Sequence, residues 1–188
     1  DTNFELLRPD PTETLPQGLS QPTGLRVSIC LSSLSHATLE TTLQGLSQAS
    51  PQVEVFLLGT VKDRAVSAHL ASHWDGRMAV HDLCGHLSFC SMAAVLRESD
   101  IAIAGPGPSS ILSSGFGTFT ICLDDKPARG PLLYPYGHGH LVIQNAEKNP
   151  LSTELSWLLP KILNYAVHSN SGNVPSLEQW RDFADSII

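Results

Sequence analysis

Long apolar runs are missing from this sequence. None approaches the ~20 residues that a membrane-spanning helix requires, so no membrane span is expected. The first residues are acidic and proline-bearing rather than basic and then apolar, which is not how a secretory signal peptide reads. Positive charge is scarce: 11 Lys+Arg stand against 18 Asp+Glu, giving a net charge of −7. The cations are scattered, form no basic stripe and are not interleaved with aromatics, so nucleic acid is not expected as a partner. An anionic small ligand stays open, because backbone N–H groups bind anions without any net positive charge. Cysteine is sparse as well. The four are Cys30, Cys84, Cys90 and Cys122; Cys30 and Cys122 lie inside apolar strand-like runs as small buried hydrophobes, a pattern that suits a reducing cytoplasm better than a disulfide framework. A cytoplasmic location is expected. There is no internal repeat, no Walker A loop, no G-x-G-x-x-G and no G-x-S-x-G elbow.

What is present is the material for one ordinary domain. The 188 residues, 41% of them apolar, suffice to bury roughly 70% of the unfolded surface. The chain opens on Asp1 rather than Met, from which a piece of something longer is expected. Residues 1–24 carry Pro9, Pro11, Pro16 and Pro22 without periodicity and read as an extended linker or lead-in. From Leu25 the rhythm changes. Leu25–Leu31, Val53–Leu58, Met78–Val80, Ile101–Ala104, Phe119–Leu123 and Leu141–Ile143 are short apolar runs of strand type. Between them, His36–Ala49 repeats Leu39, Leu43 and Leu46 at helical spacing. A second helix opens at Gly59-Thr60 with Val61, Ala65 and Ala68 on one face. A third, Leu87–Ser99, turns Phe89, Ala93, Val95 and Leu96 inward. Leu151–His168, with Trp157 in its core, and Ser176–Ile188 close the chain as helices. Strands alternating with helices imply βαβ units, hence a mostly parallel sheet with helices on both faces: a Rossmann-like, three-layer α/β/α domain over 25–168 with a carboxyl-terminal helix over 169–188.

In such a sheet ligands bind at the carboxyl ends of the strands. Four turns qualify: Ser32–Ser35, Gly59–Asp63, Asp82–Leu87 and Gly105–Ser110. In the last of these, Gly105 and Gly107 remove the Cβ atoms that would keep a ligand from the backbone, and Ser109 or Ser110 can cap the helix and receive a phosphate. The alternative is a tight strand-to-helix turn that binds nothing. The hydroxyls of Ser32 and Ser33 either hold a diphosphate or cap the helix behind them. Asp63 either accepts a ribose hydroxyl or complements a helix N-terminus. His81, Asp82, Cys84, His86 and Cys90 invite a zinc reading, but their spacing matches no standard zinc pattern and a solvated loop explains them. In Tyr134–His140, His138 or His140 can meet a phosphate or act as a base, or the loop is simply structural. No metal and no cofactor is expected.

Three of these segments occur in a telling order. Asp82-Leu83-Cys84-Gly85-His86-Leu87-Ser88, Ala94-Val95-Leu96-Arg97-Glu98-Ser99-Asp100 and Ile103-Ala104-Gly105-Pro106-Gly107-Pro108 follow one another, and Tyr136–Ile143 comes later. Together they resemble the carboxyl-terminal, donor-binding half of heptosyltransferase-like, family 9 glycosyltransferases of the GT-B fold, over about Leu25 to Ile143. The resemblance implies a domain that binds a nucleotide-sugar or nucleotide diphosphate, with Ser32, Ser33, Gly105, Gly107, Ser109 and Ser110 flanking the diphosphate, Asp63 near the ribose and His138 at the ligand edge. Gly105 stands where the family usually has Asp, Ser110 where it has His, and the turn after the first strand offers no Lys. In GT-B enzymes the base and the acceptor site lie largely on the amino-terminal half. The resemblance therefore implies a missing amino-terminal half or a partner protein, and a domain that is not catalytic alone. The alternative is a degenerate, non-catalytic GT-B-like binding or protein-interaction module. A third is a free-standing receptor or regulator of phosphorylated metabolites.

Overall fold

The computed structural model describes residues 24–49, 53–74, 78–125, 134–136, 139–144 and 151–168, with 178–179 and 182–183 near the end of the chain. Six strands, β1 (Leu25–Cys30), β2 (Val53–Leu58), β3 (Ala79–Asp82), β4 (Ile101–Ala104), β5 (Phe119–Asp124) and β6 (His140–Gln144), form one sheet in the order β3-β2-β1-β4-β5-β6. Every pairing is parallel. The sheet is therefore wholly rather than mostly parallel. Among the described residues five helices connect or close it: α1 (His36–Ala49), α2 (Arg64–Trp74), α3 (Phe89–Arg97), α4 (Pro108–Gly115) and α5 (Leu151–His168). Short 3-10 turns, Leu31–Ser33 and Val61–Asp63, precede α1 and α2.

Burial on both faces explains why the central strands read as unbroken apolar runs. The two-residue period sorts their side chains. Val27, Ile29, Val55, Leu57, Ile101, Ile103, Ile121 and Leu123 point to one face and pack with Leu39, Leu43 and Leu46 of α1, Leu70 and Trp74 of α2, and Leu155, Leu159 and Ile162 of α5. Cys30, Phe56, Leu58, Ala102 and Ala104 point to the other, against Ala93, Val95 and Leu96 of α3 and Leu112 of α4. Several side chains on this second face are small, as Ser28, Ala102 and Ala104 show, which lets α3 and α4 sit close to the sheet. Each large core side chain buried this way contributes about 1.5–3 kcal/mol.

Three inward faces differ from the sequence expectation. In α2 the buried residues are Ser67, Leu70 and Trp74, while Val61 and Val66 are exposed. The indole packs at the end of the helix and sets its rotation, which alanine spacing alone does not mark. Phe89, the first residue of α3, is 54% exposed. Trp157 is 44% exposed. The buried stripe of α5 runs through Leu151, Leu155, Leu158, Leu159, Ile162, Leu163 and Ala166, and position 157 falls on the opposite side, where the Lys161 ammonium lies 4.7 Å above its ring. The lead-in and most of the closing helix lie outside the described residues. Within the latter, Phe183 stacks on Tyr165 at 4.3 Å and the Tyr165 hydroxyl donates to the Gln179 carbonyl.

Candidate functional site

Parallel strands deliver the turns that follow them to one edge, and the strand order reverses between β1 and β4. At that edge lies a cavity of about 360 Å³, within the usual range for small-ligand sites. Cys30 and Ser32 reach it from the end of β1, and Leu58, Gly59, Thr60 and Val61 from the end of β2. Gly85 and Leu87 come from the turn after β3, which leads into Phe89 and Met92 of α3. Ser109 arrives from α4. All four turns expected from the sequence thus contribute. A second hollow, about 480 Å³, lies along α1 and α2 and is lined by Glu40, Gln44 and Trp74 among others. No residue of the four turns lines it.

Ser32 and Asp63 are joined. The Ser32 hydroxyl donates to Asp63 Oδ2 at 2.9 Å, and the same oxygen accepts the Thr60 N–H at 2.7 Å and the Thr60 hydroxyl at 2.8 Å. Thr60 and Asp63 form a capping box on the 3-10 turn Val61–Asp63 that leads into α2. Partial burial pushes the Asp63 carboxyl up, but the Thr60 N–H, the two hydroxyls and the charge of Lys62 outweigh it and hold the group below the usual carboxylate range. Asp63 is a fixed anion beside the cavity.

Ser33 and Gly105 meet each other instead of the cavity. A Cβ on Gly105 would lie 2.6 Å from Ser33 Oγ and 2.9 Å from its carbonyl oxygen. The close approach that this glycine allows is between two turns of the chain. Gly107 opens α4 with φ 151° and ψ −168°, a backbone state that only glycine adopts readily, and its missing Cβ would point into open space. It supplies no side-chain cap, and Pro108 presets the helix entry. Ser110 is fully buried and its hydroxyl donates to the Gly107 carbonyl at 2.9 Å, inside the turn. Of the pair Ser109 and Ser110, it is Ser109 that lines the cavity. His138 lies outside the described residues. In the described part of that segment, the Tyr136 carbonyl accepts from the Ser114 hydroxyl at 2.9 Å and Tyr134 donates to Asp124.

Several determinants escaped sequence reasoning. Asp125, just past β5, accepts the Ser35 N–H at 2.8 Å and the Thr38 hydroxyl at 2.7 Å, so a carboxylate of the chain itself occupies the N-terminus of α1. The only trace of this in the sequence is the absence of an acid from the first turn of α1. Arg64 bonds the carbonyls of Cys84 at 3.3 Å and Gly85 at 2.7 Å, and Gly85 itself holds φ 66° against the backbone of Val61. These bonds fix the turn after β3. They also commit the guanidinium, and among the described residues none that lines the cavity is cationic.

The 81–90 segment is exposed at His86, Ser88, Phe89 and Cys90, but it is not solvated throughout. Cys84 is fully buried, its thiol directed to the Leu57 carbonyl at 3.6 Å. His81 stacks on Phe56 at 5.1 Å and bonds Glu54 at 3.0 Å, whereas Cys90 is exposed, so among the described residues these groups do not converge on a metal. Burial pushes the Cys30 thiol up to about 12, despite a hydrogen bond from Ser109, and pushes Cys84 up to about 11. Neither is a thiolate nucleophile at neutral pH.

No sequence-family profile and no curated protein matches the chain. Solved structures do. A family 9 glycosyltransferase from Veillonella parvula superposes with a TM-score of 0.56 at 11% identity, over 89% of this chain and 46% of that one. The E. coli heptosyltransferase WaaC with ADP gives 0.56 at 16%, over 84% and 47%. Anabaena HepE in complex with UDP and glucose gives 0.55 at 17%, over 87% and 44%. The fold is that of one half of a heptosyltransferase-like glycosyltransferase. The chain spans less than half the length of each of those chains. No helix among its described residues is long and apolar enough to cross a membrane.

Proposed function

We propose that this chain is a glycosyltransferase-related domain that binds a nucleotide-sugar, or the nucleotide diphosphate left after transfer, in the carboxyl-edge cavity, and that it does not transfer sugar alone. The observation that carries the reading is the convergence of all four carboxyl-edge turns on one cavity of ligand size. The chemistry of its lining fits a nucleoside. Leu58, Val61, Phe89 and Met92 offer apolar surface to a base, and Asp63 with Ser32 and Thr60 offers acceptors and hydroxyls to a ribose. The amino end of α4 carries no side-chain cap and reaches the cavity at Ser109, whose N–H and hydroxyl would receive a phosphate. Neighbours solved with ADP and with UDP have the same fold. Among the described lining residues none is cationic; each phosphate contact made to a backbone N–H rather than to a cation forgoes a charge-assisted bond worth about 1.5–3 kcal/mol, so these residues favour the nucleoside. A base and an acceptor site would come from a further domain or a partner protein.

One observation favours a second reading, a binding module that kept the fold and lost the donor. Val61 (65% exposed) and Phe89 (54%) are large apolar side chains at the rim of the cavity, a pattern that also suits a protein partner.

Titration of UDP and ADP while following thermal unfolding separates the two. At 100 times its dissociation constant a nucleotide adds about 2.7 kcal/mol, which raises Tm by roughly 5–11 °C in a chain of this size. Phe89→Ala should weaken nucleotide binding roughly 5–150-fold, the range for losing one base–aromatic stack, with little effect on the unliganded Tm. No Tm shift with either nucleotide in a folded sample would refute donor binding and leave the interaction module.

A further inference from the structure

Outside the carboxyl-edge cavity, α1 and α2 gather side chains whose proximity the fold's own packing does not require. His36 and Glu40 lie one turn apart on α1, with His36 Nε2 3.4 Å from Glu40 Oε1. His69 of α2 faces them, its ring 5.9 Å from that of His36. One ligand atom from each of the three residues lies within 4.8 Å of the other two, and all three residues are exposed. His73, one turn along α2, has its ring 6.5 Å from that of His69 and shares the neighbouring hollow with Glu40.

We propose that His36, Glu40 and His69 form a zinc site that ties the first turn of α1 to α2, with His73 beside the remaining coordination position. Two imidazoles and one carboxylate suit zinc, while calcium and magnesium call for an all-oxygen set. Around a tetrahedral zinc with bonds of about 2.0–2.1 Å, neighbouring ligand atoms stand about 3.3 Å apart. The His36–Glu40 pair already has that spacing. The histidine of α2 needs only a side-chain rotation to close, and its exposure leaves it free to make one. Three protein ligands leave a position open to water, to His73 or to an incoming anion. The ligands come from two helices, 29 residues apart between Glu40 and His69, so no local spacing in the sequence announces them.

The test is zinc chloride titrated into the 188-residue chain in a non-chelating buffer, read by calorimetry and thermal unfolding, with cobalt(II) as a spectroscopic stand-in. The expected result is 1:1 binding, a Tm increase of about 5 °C or more near 100 times the dissociation constant, and visible ligand-field bands for cobalt. His69→Ala and Glu40→Gln should each weaken zinc binding at least about 10-fold while leaving the metal-free Tm unchanged. His86→Ala and Cys90→Ser, at exposed positions elsewhere, should leave the affinity within about twofold of wild type. The proposal is overturned by the absence of 1:1 binding, by wild-type affinity in both cluster variants, or by loss of binding only in the His86 or Cys90 variants.

Discussion

Replacing Gly105 with alanine probes the junction on which the carboxyl edge is built. The backbone of Gly105 is not in the left-handed region, so alanine incurs no conformational strain there, and the effect comes from packing alone. The new methyl would lie 2.6 Å from Ser33 Oγ, 2.8 Å from Ser33 Cβ and 2.9 Å from the Ser33 carbonyl oxygen. Ordinary contact starts near 3.5 Å, so the turn after β1 must withdraw by roughly 0.5–1 Å, and a backbone atom cannot swing aside as a side-chain tip can. Overpacking of this size costs about 1–3 kcal/mol, or roughly 2–12 °C in Tm for a chain of this length. Urea unfolding should show a lower midpoint with an unchanged m-value. Ser33→Gly removes two of the three contacts, so the double variant should be less destabilised than the sum of the singles, by about 0.5–3 kcal/mol. A Gly105→Ala protein within about 0.5 kcal/mol of wild type, or strict additivity with Ser33→Gly, would refute the packed junction.

Asp63→Ala should cost about 1 kcal/mol at neutral pH through loss of the capping box. Because the folded carboxyl titrates below its usual range, its stabilisation is present above about pH 4 and is lost as pH falls through the depressed value. The gap between wild type and variant in urea midpoints should therefore narrow in acid, and a constant gap would contradict the assignment. Thiol titration with a colorimetric disulfide reagent should find one fast group in the native protein, Cys90, and four after unfolding, since Cys30, Cys84 and Cys122 are buried. Two fast native thiols would contradict that burial.

The sequence by itself determined the layers. Its apolar runs of three to seven residues, separated by helices with a three-to-four residue period, leave few alternatives to a parallel sheet covered on both faces, because each hydrophobic stripe must find a partner. It also determined which four turns gather at the carboxyl edge of the sheet, since strand direction alone sends them there. Tertiary structure decided what each turn residue does. Gly105 faces Ser33, Ser110 bonds within its own turn, Cys84 dives into the core, and Asp125 fills the N-terminus of α1 from 90 residues away. Hydroxyls, carboxylates and glycines serve caps, packing and ligands with the same atoms, so their residue type leaves the role open. The role is set by which distant turn packs alongside, and hydrophobic periodicity carries no record of that. The same holds for Phe89 and Trp157, whose apolarity predicts burial but whose exposure depends on how their helices pack.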